Sequence, residues 1–303
     1  MKKIPSFQPF PPPARWLTRA LMAVILGGAL SAQAFTVTGG GVVLPVQSPD
    51  DPLGLPIVGP VLGAGTDATS KNFDQNVLPG ALNFVAANLP EGQNNSGNPA
   101  LFMLDPSKLA LATTVNLQAY FISEGAGYDN TIGFNTTGTG AAGGDPKIIF
   151  PNATSQEDFN PNPANTYGPR TPSSPLLPGD FVNLGTFAAG TKLDFFLIAN
   201  GANGGTPVYN SGGASANPDG FNHVAAWTTS LNSPYLFLSF EDLPNGGDQD
   251  YNDVVIALNV GAKTIHALMA TPEPSMYLTL GGFLALALWA KRRTDRKAQM
   301  AGA

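Results

Sequence analysis

The chain has 303 residues, of which 43% are apolar and 12% are charged, and it contains no cysteine. The apolar fraction is sufficient for a core and excludes a disordered polyelectrolyte, and the lack of cysteine excludes disulfide scaffolds, thiolate metal sites and cysteine nucleophiles. Residues 35–270 carry six basic and nineteen acidic side chains, a balance that disfavours nucleic-acid binding and favours divalent cations or basic partners.

The N-terminal pattern predicts a secretory signal peptide. Four cations and no acids accompany the apolar run 20–30, and Ala32 and Ala34 form a small-x-small cleavage site. Residues 1–34 are therefore predicted to be the signal, with Phe35 as the first residue of the mature chain. The alternative is a short membrane anchor, but such a run spans only about 16 Å of a hydrocarbon core about 30 Å thick.

Residues 35–100 are rich in Gly, Pro and Asn and are predicted to be an irregular region with edge strands at most. Short apolar pieces such as 42–44 and 57–58 are interrupted by prolines every few residues. Because proline cannot donate a ladder hydrogen bond, it is confined to strand edges and irregular backbone.

Residues 101–270 are predicted to form one all-β domain, a β-sandwich or jelly roll. Short segments rich in β-formers alternate here with loops rich in Gly, Asn and Pro. The predicted strands are 115–122, 147–150, 192–199, 224–229, 234–240 and 253–260. The polar stretch from Phe150 to Gly179 contains seven prolines and is predicted to be a surface excursion within this domain.

The loop between the last two predicted strands is the strongest candidate for a functional site. It carries five carboxylates within thirteen residues around an Asn-Gly-Gly turn. Such carboxylates repel one another without a cation, and closely spaced oxygen ligands suit calcium, which takes about six to eight oxygen atoms. The predicted metal ligands are Glu241, Asp242, Asp248, Asp250, Asn252 and Asp253.

The spacing in this loop resembles the start of an EF-hand calcium loop. It lacks the downstream bidentate Glu and the flanking helices of that motif. The alternative to a calcium site is that these Asp and Asn side chains only cap a tight turn through hydrogen bonds to the backbone.

Two other loops are weaker candidates for the same site. In the segment 217–223, Asp219 belongs to a Pro-Asp-Gly turn, which taken alone favours a simple turn. His223 is interpreted as a hydrogen-bonding turn residue, since no second imidazole lies nearby in sequence. Glu124, next to a glycine at a strand end, either approaches the same ion or caps its own turn.

Several segments resemble DUF4114, a bacterial domain family of unknown function. They are 121–133, 177–180, 190–197, 217–223 and 240–253, and the last is the most specific. Together they cover about residues 101–260. The resemblance implies an all-β extracellular module whose acidic signature corresponds to the six loop residues named above, and it implies no established activity.

The last 33 residues, 271–303, combine three features in order. A Pro-Glu-Pro motif precedes the largely apolar run 275–290, and a basic cluster follows it. The residues are Pro272, Glu273 and Pro274 in the motif and Lys291, Arg292 and Arg293 in the cluster. The run predicts a membrane-spanning helix with the cations on the cytoplasmic side. The alternative is a buried amphipathic helix, but no polar face interrupts the run.

This order of features resembles the PEP-CTERM sorting signal. The resemblance implies cleavage near the Pro-Glu-Pro motif by an exosortase, a membrane enzyme of Gram-negative bacteria that make exopolysaccharide. The tail after Arg293 is longer than is usual in that family.

These features predict an exported, non-enzymatic surface or matrix protein. It is expected to be calcium-stabilised, held at least transiently in the inner membrane, and associated with exopolysaccharide or biofilm. One alternative is a calcium-dependent carbohydrate-binding module in which Tyr128, Trp227 and Tyr251 stack on sugars, although such aromatic residues more commonly belong to a core. The other is a polysaccharide hydrolase that uses two carboxylates, but the sequence has no recognisable catalytic motif.

Overall fold

The computed structural model describes residues 51–136, 144–156 and 170–269. The predicted signal peptide, Pro-Glu-Pro motif, membrane-spanning helix and basic cluster lie outside these residues, as does part of the predicted surface excursion. Within the described ranges, no helix is long and apolar enough to cross a membrane.

Nine β-strands in the described residues form two antiparallel sheets. They are β1 (Val115–Ser123), β2 (Thr131–Asn135), β3 (Lys147–Phe150), β4 (Phe181–Phe187), β5 (Asp194–Ile198), β6 (Val208–Asn210), β7 (Val224–Trp227), β8 (Tyr235–Phe240) and β9 (Val254–Asn259). The strand order is β4-β1-β9-β8-β7 in one sheet and β3-β2-β5-β6 in the other. The prediction of an all-β class is confirmed.

The five-stranded sheet is buried on both faces, which explains why its central strands are apolar at nearly every position. Successive side chains of a strand point to opposite faces. In β9, Ile256 and Leu258 join the core shared with the second sheet, whereas Val255 and Ala257 belong to a second core. A sheet that is covered on both faces has no water-facing side, so its strands lack the usual alternation of apolar and polar residues.

The second core is closed by helices from the N-terminal region. The helices of the described residues are α1 (Ala68–Asn76), α2 (Leu78–Asn88) and α3 (Ala262–Leu268). Asp67 caps α1, since its Oδ1 accepts a hydrogen bond from the Ser70 amide at 2.6 Å. Phe73 of α1 is buried against Tyr120 of β1, with ring centroids 3.9 Å apart.

The sequence prediction for residues 35–100 missed α1 and α2. The high Gly and Pro content of the whole region concealed two helix-start signals. Asp67 and Ser70 form a reciprocal capping box, and Pro79 lies in the first turn of α2, where a missing amide donor costs nothing.

The same region covers one edge strand of each sheet. Ile57 forms a parallel bridge to Ile148 of β3, and Leu62 forms an antiparallel bridge to Phe181 of β4. An uncovered strand edge offers unpaired backbone groups to other chains. The piece 57–58 therefore lies along a sheet edge, whereas the piece 42–44 lies outside the described residues.

Two of the three aromatic residues considered for sugar stacking belong to the core. Trp227 is fully buried between the rings of Phe84 and Phe237, at centroid distances of 3.9 and 4.2 Å. Tyr251 is also buried, and of the three only Tyr128 is exposed. The three residues therefore do not form a shared surface platform.

The packing of α1 yields a stability prediction. Phe73→Ala is expected to lower the free energy of unfolding by about 3–5 kcal/mol, because it removes a buried ring and leaves a cavity. The exposed Gln75→Ala on the same helix is the control and is expected to change it by less than about 0.5 kcal/mol. Denaturant unfolding of both variants measures the difference, and equal effects would contradict the packing described for α1.

Candidate metal centre

Loops from distant parts of the chain meet at one end of the two sheets. We call this end the acidic pole, and it comprises residues 89–98, 124–130, 217–223 and 241–253. The antiparallel pairing of β1 and β8 with β9 brings the loop ends together. Hydrogen bonds then join the loops directly, from the Gly125 amide to the Asn252 carbonyl at 3.1 Å and from the Glu241 amide to the His223 carbonyl at 2.9 Å.

The loop 241–253 has the tight backbone that its Asn-Gly-Gly sequence predicts. Asn245, Gly246 and Gly247 all have positive φ, a conformation that Asn tolerates and Gly adopts freely. Glycine is also required at position 246 by space. A Cβ there would lie 2.0 Å from the ring of Phe221.

Three carboxylates of this loop are almost completely buried. Glu241 and Asp250 are 1% exposed and Asp242 is 3% exposed. None of them forms an ion pair with Lys or Arg of the described residues. Because a buried charge without a counter-ion is costly, the site calls for either protons or a cation.

Hydrogen bonds from amide N–H groups hold the carboxylates of this loop in place. The Tyr251 amide donates to Glu241 Oε1 at 2.7 Å, and Asn130 Nδ2 donates to Asp242 Oδ2 at 2.7 Å. The Asp242 amide in turn donates to Asp253 Oδ2 at 2.7 Å. These donors fix the geometry of the carboxylates without neutralising their charge.

Burial and mutual repulsion disfavour the ionised carboxylates. Burial, with the charges of Asp250 and Asp248, raises the pKa of Glu241 to about 8 despite the opposing hydrogen bond from the Tyr251 amide. Burial raises the pKa of Asp250 to about 6 despite two amide donors. Burial, with the charges of Asp242 and Glu241, holds the pKa of Asp253 well above its ordinary value.

Three carboxylates converge at the outer side of this loop, and we call them the outer cluster. One carboxylate oxygen each from Glu91, Asp248 and Asp250 lies within 4.8 Å of the others. Asp250 is buried, whereas Glu91 and Asp248 are exposed. Carboxylate oxygens at such distances suit a hard cation such as calcium.

Glu91 is a site residue that the sequence analysis missed. It lies in the loop after α2 and is positioned by contacts with the acidic loop. The Gly92 amide donates to Asp250 Oδ2 at 2.8 Å, and Asn252 Nδ2 donates to Glu91 Oε2 at 2.9 Å. No local motif marks Glu91, because its partners are about 160 residues away in sequence.

The six predicted loop ligands therefore occupy different positions. Asp248 and Asp250 meet Glu91 in the outer cluster. Glu241, Asp242 and Asp253 lie deeper in the loop, where each accepts a hydrogen bond from a backbone or side-chain amide. The side-chain amide of Asn252 donates a hydrogen bond to Glu91.

The two weaker candidates lie at the same pole, but neither belongs to the outer cluster. Asp219 Oδ2 contacts His223 Nε2 at 2.9 Å and accepts from the Asn245 amide at 2.7 Å. Although partial burial opposes ionisation, these hydrogen bonds outweigh it and lower the pKa of Asp219 to about 2. Glu124 is 3% exposed and accepts from the Ser155 amide at 3.2 Å.

His223 links two loops through hydrogen bonds. Its Nδ1 lies 3.0 Å from the Glu241 carbonyl, while Nε2 faces Asp219. The ring is fully buried and stacks on Tyr209 at a centroid distance of 3.7 Å. This agrees with the interpretation of His223 as a hydrogen-bonding turn residue.

One known protein family matches the part of the chain that contributes the two C-terminal loops of this pole, 217–223 and 241–253. Residues 187–261 match DUF4114, a domain of unknown function. The DUF4114 match begins at the end of β4 and ends after β9, so it includes the loops of Asp219 and of the acidic cluster. It confirms the domain resemblance expected from the sequence over these residues, and Glu91 and Glu124 lie outside it. No curated protein and no solved structure matches the chain.

The raised pKa of Glu241 gives a pH prediction for the metal-free protein. The pKa of Glu241 is about 8 in the folded state and about 4.5 in the unfolded state. Between about pH 4.5 and about pH 8 the folded state therefore binds a proton at Glu241 that the unfolded state has lost. Stability is therefore expected to fall as pH rises from about 4.5 to about 8. Urea unfolding in EDTA at several pH values tests this.

Glu241→Gln supplies the matched comparison for that experiment. The variant keeps the side-chain size but has no titrating group at position 241, so its stability is expected to fall less steeply over the same range. A parent protein whose stability rises through this window would contradict the burial of an unpaired Glu241 carboxyl.

Proposed function

We propose that this chain is an exported, non-enzymatic surface or matrix protein whose acidic pole binds calcium. The observation that carries the calcium proposal is the burial of Glu241, Asp242 and Asp250 without a Lys or Arg ion pair from the described residues. A divalent cation in the adjacent outer cluster would offset the repulsion that burial of these charges creates.

The residues present fit a calcium ion. Glu91, Asp248 and Asp250 would hold it, since these carboxylates already approach one another and carboxylate oxygens are preferred calcium ligands. The ion would supply positive charge where the described residues place no Lys or Arg ion pair.

The position of the cluster favours a structural role for the ion. Glu91 follows the helical layer, whereas Asp248 and Asp250 belong to the hairpin between β8 and β9. One ion bound by all three would link the N-terminal region to the sheets. A carboxylate pair for glycoside hydrolysis must instead flank an accessible sugar, which the burial of Glu241 and Asp242 disfavours.

Export and sorting are proposed from the sequence of the two termini. Residues 1–34 supply the signal, and Pro272, Glu273 and Pro274 with the apolar run 275–290 supply the sorting features. In this proposal an exosortase of a Gram-negative bacterium acts on a chain held transiently in the inner membrane. The product then associates with exopolysaccharide or biofilm.

Thermal unfolding with calcium and with EDTA tests the metal proposal. Calcium at a concentration of about a hundred times its dissociation constant adds about 2.7 kcal/mol to the free energy of unfolding. This corresponds to an increase of several degrees in Tm. The parent chain is expected to show this increase, whereas Glu91→Gln and Asp250→Asn are expected to lose most of it.

Asp51→Asn is the matched control, because Asp51 is exposed and is absent from the cluster. It is expected to retain the full response to calcium. If the parent chain shows no increase in Tm, the calcium proposal is wrong, and the carboxylates only cap and brace their turn.

Processing of a tagged chain in an exosortase-containing Gram-negative host tests the sorting proposal. We expect a mature N-terminus at Phe35 and a shortened C-terminus, both measured by mass spectrometry. Replacing Pro272 and Pro274 by Ala should block the C-terminal cut, whereas Thr279→Ala within the apolar run should not. A full-length chain that stays in the cytoplasm would contradict the proposal.

A further inference from the structure

The end of the two sheets opposite to the acidic pole has a different charge. We call it the C-terminal pole, and it comprises residues 105–114, 188–193 and 261–269. Hydrogen bonds join these segments, from the Ala112 amide to Thr264 Oγ1 at 3.0 Å and from the Leu111 amide to the Thr191 carbonyl at 2.9 Å. Because β9 runs from the acidic loop to α3, the two poles are separated by the length of a six-residue strand, roughly 20 Å.

Exposed lysines mark the C-terminal pole. Lys108, Lys192 and Lys263 are all exposed there. Lys108 forms an ion pair with Asp105 at 2.9 Å, whereas Lys192 and Lys263 form none with the described residues. The nearby Asp194 is 9% exposed and accepts a hydrogen bond from Ser211. The outward charge of this pole is therefore positive, in a body whose net charge is strongly negative.

The chain also leaves the described structure at this pole. Met269 forms a bridge with Leu104 and is 39% exposed. Only five residues, 270–274, separate it from the apolar run 275–290. Since an extended residue spans at most about 3.6 Å, the six Cα–Cα steps from Met269 to Ser275 reach at most about 22 Å, so the start of the apolar run stays within about one strand length of this pole.

We propose that the C-terminal pole docks on an anionic lipid surface through Lys192 and Lys263, with the acidic pole directed away from the membrane. The proposal rests on the membrane anchor of the proposed function. The short connection sets which pole lies near the lipid, and charge complementarity favours contact there. Anionic headgroups attract the lysines and repel the carboxylates of the acidic pole.

Site-specific quenching on vesicles tests this orientation. The native chain has no cysteine, so Ala267→Cys at the C-terminal pole and Gln93→Cys at the acidic pole each accept one fluorophore. The full chain is reconstituted into phosphatidylcholine vesicles with phosphatidylglycerol and with a headgroup-attached quencher in both leaflets. We expect strong quenching at position 267 and little at position 93, and equal quenching would overturn the proposal.

The lysine dependence of the same signal tests the charge argument. Lys192→Gln and Lys263→Gln are each expected to reduce the docked-to-undocked ratio roughly fivefold. Lys71→Gln, an exposed position on α1, is the control and should leave it unchanged. Phosphatidylcholine vesicles without phosphatidylglycerol should give weak quenching at position 267, and unchanged strong quenching there would overturn the role of anionic lipid.

Flotation of the vesicles separates failure of this inference from failure of the anchor. A chain that does not float with the vesicles has no membrane anchor, and the docking proposal fails with it. A chain that floats but is quenched equally at both positions retains the anchor and overturns only the proposed orientation.

Discussion

The closing of the β8–β9 hairpin is the constraint on which the rest of the acidic pole depends. The register pairs Phe240 with Val254, so the residues that follow and precede them, Glu241 and Asp253, are forced to the same end of the sheet. Both strands are buried on both faces, and this burial fixes the register. The apolar core therefore holds like charges at positions that their mutual repulsion opposes, and the amide donors around them orient the carboxylates without cancelling the charge.

The N-terminal region completes both the core and the candidate metal centre. Its helices cover a sheet face that would otherwise expose Tyr120 and Trp227. The loop after α2 then delivers Glu91 to the outer cluster, and the Gly92 amide to Asp250. The proposed cation would therefore couple its own binding to the docking of the helical layer, because each would stabilise the same arrangement of Glu91 against the acidic loop.

Strong local patterns made some strands predictable and long-range contacts concealed others. The predicted strand 147–150 coincides with β3, and the predictions for β8 and β9 differ from the structure by one residue at their ends, because continuous runs of β-formers mark fully buried strands. β2 was missed, since Gly133 argues against a strand. A Cβ at that position would lie 2.3 Å from the Phe196 ring, so the tertiary packing requires a residue that local propensity disfavours. Glu91 is equally invisible, because only the fold brings it to Asp250.

The two ends of the sheets differ in charge, and this difference bears on the orientation of the chain in the proposed anchored state. A body with nineteen acids and six bases in residues 35–270 is repelled by an anionic membrane, and the repulsion is least when the carboxylates are farthest from the lipid. Attachment at the C-terminal pole gives that arrangement and leaves the outer cluster of Glu91, Asp248 and Asp250 open to calcium in the surrounding medium. Bound calcium would in turn reduce the negative charge of the acidic pole. The charge of the membrane-facing pole would stay the same, because its lysines lie at the other end of the two sheets.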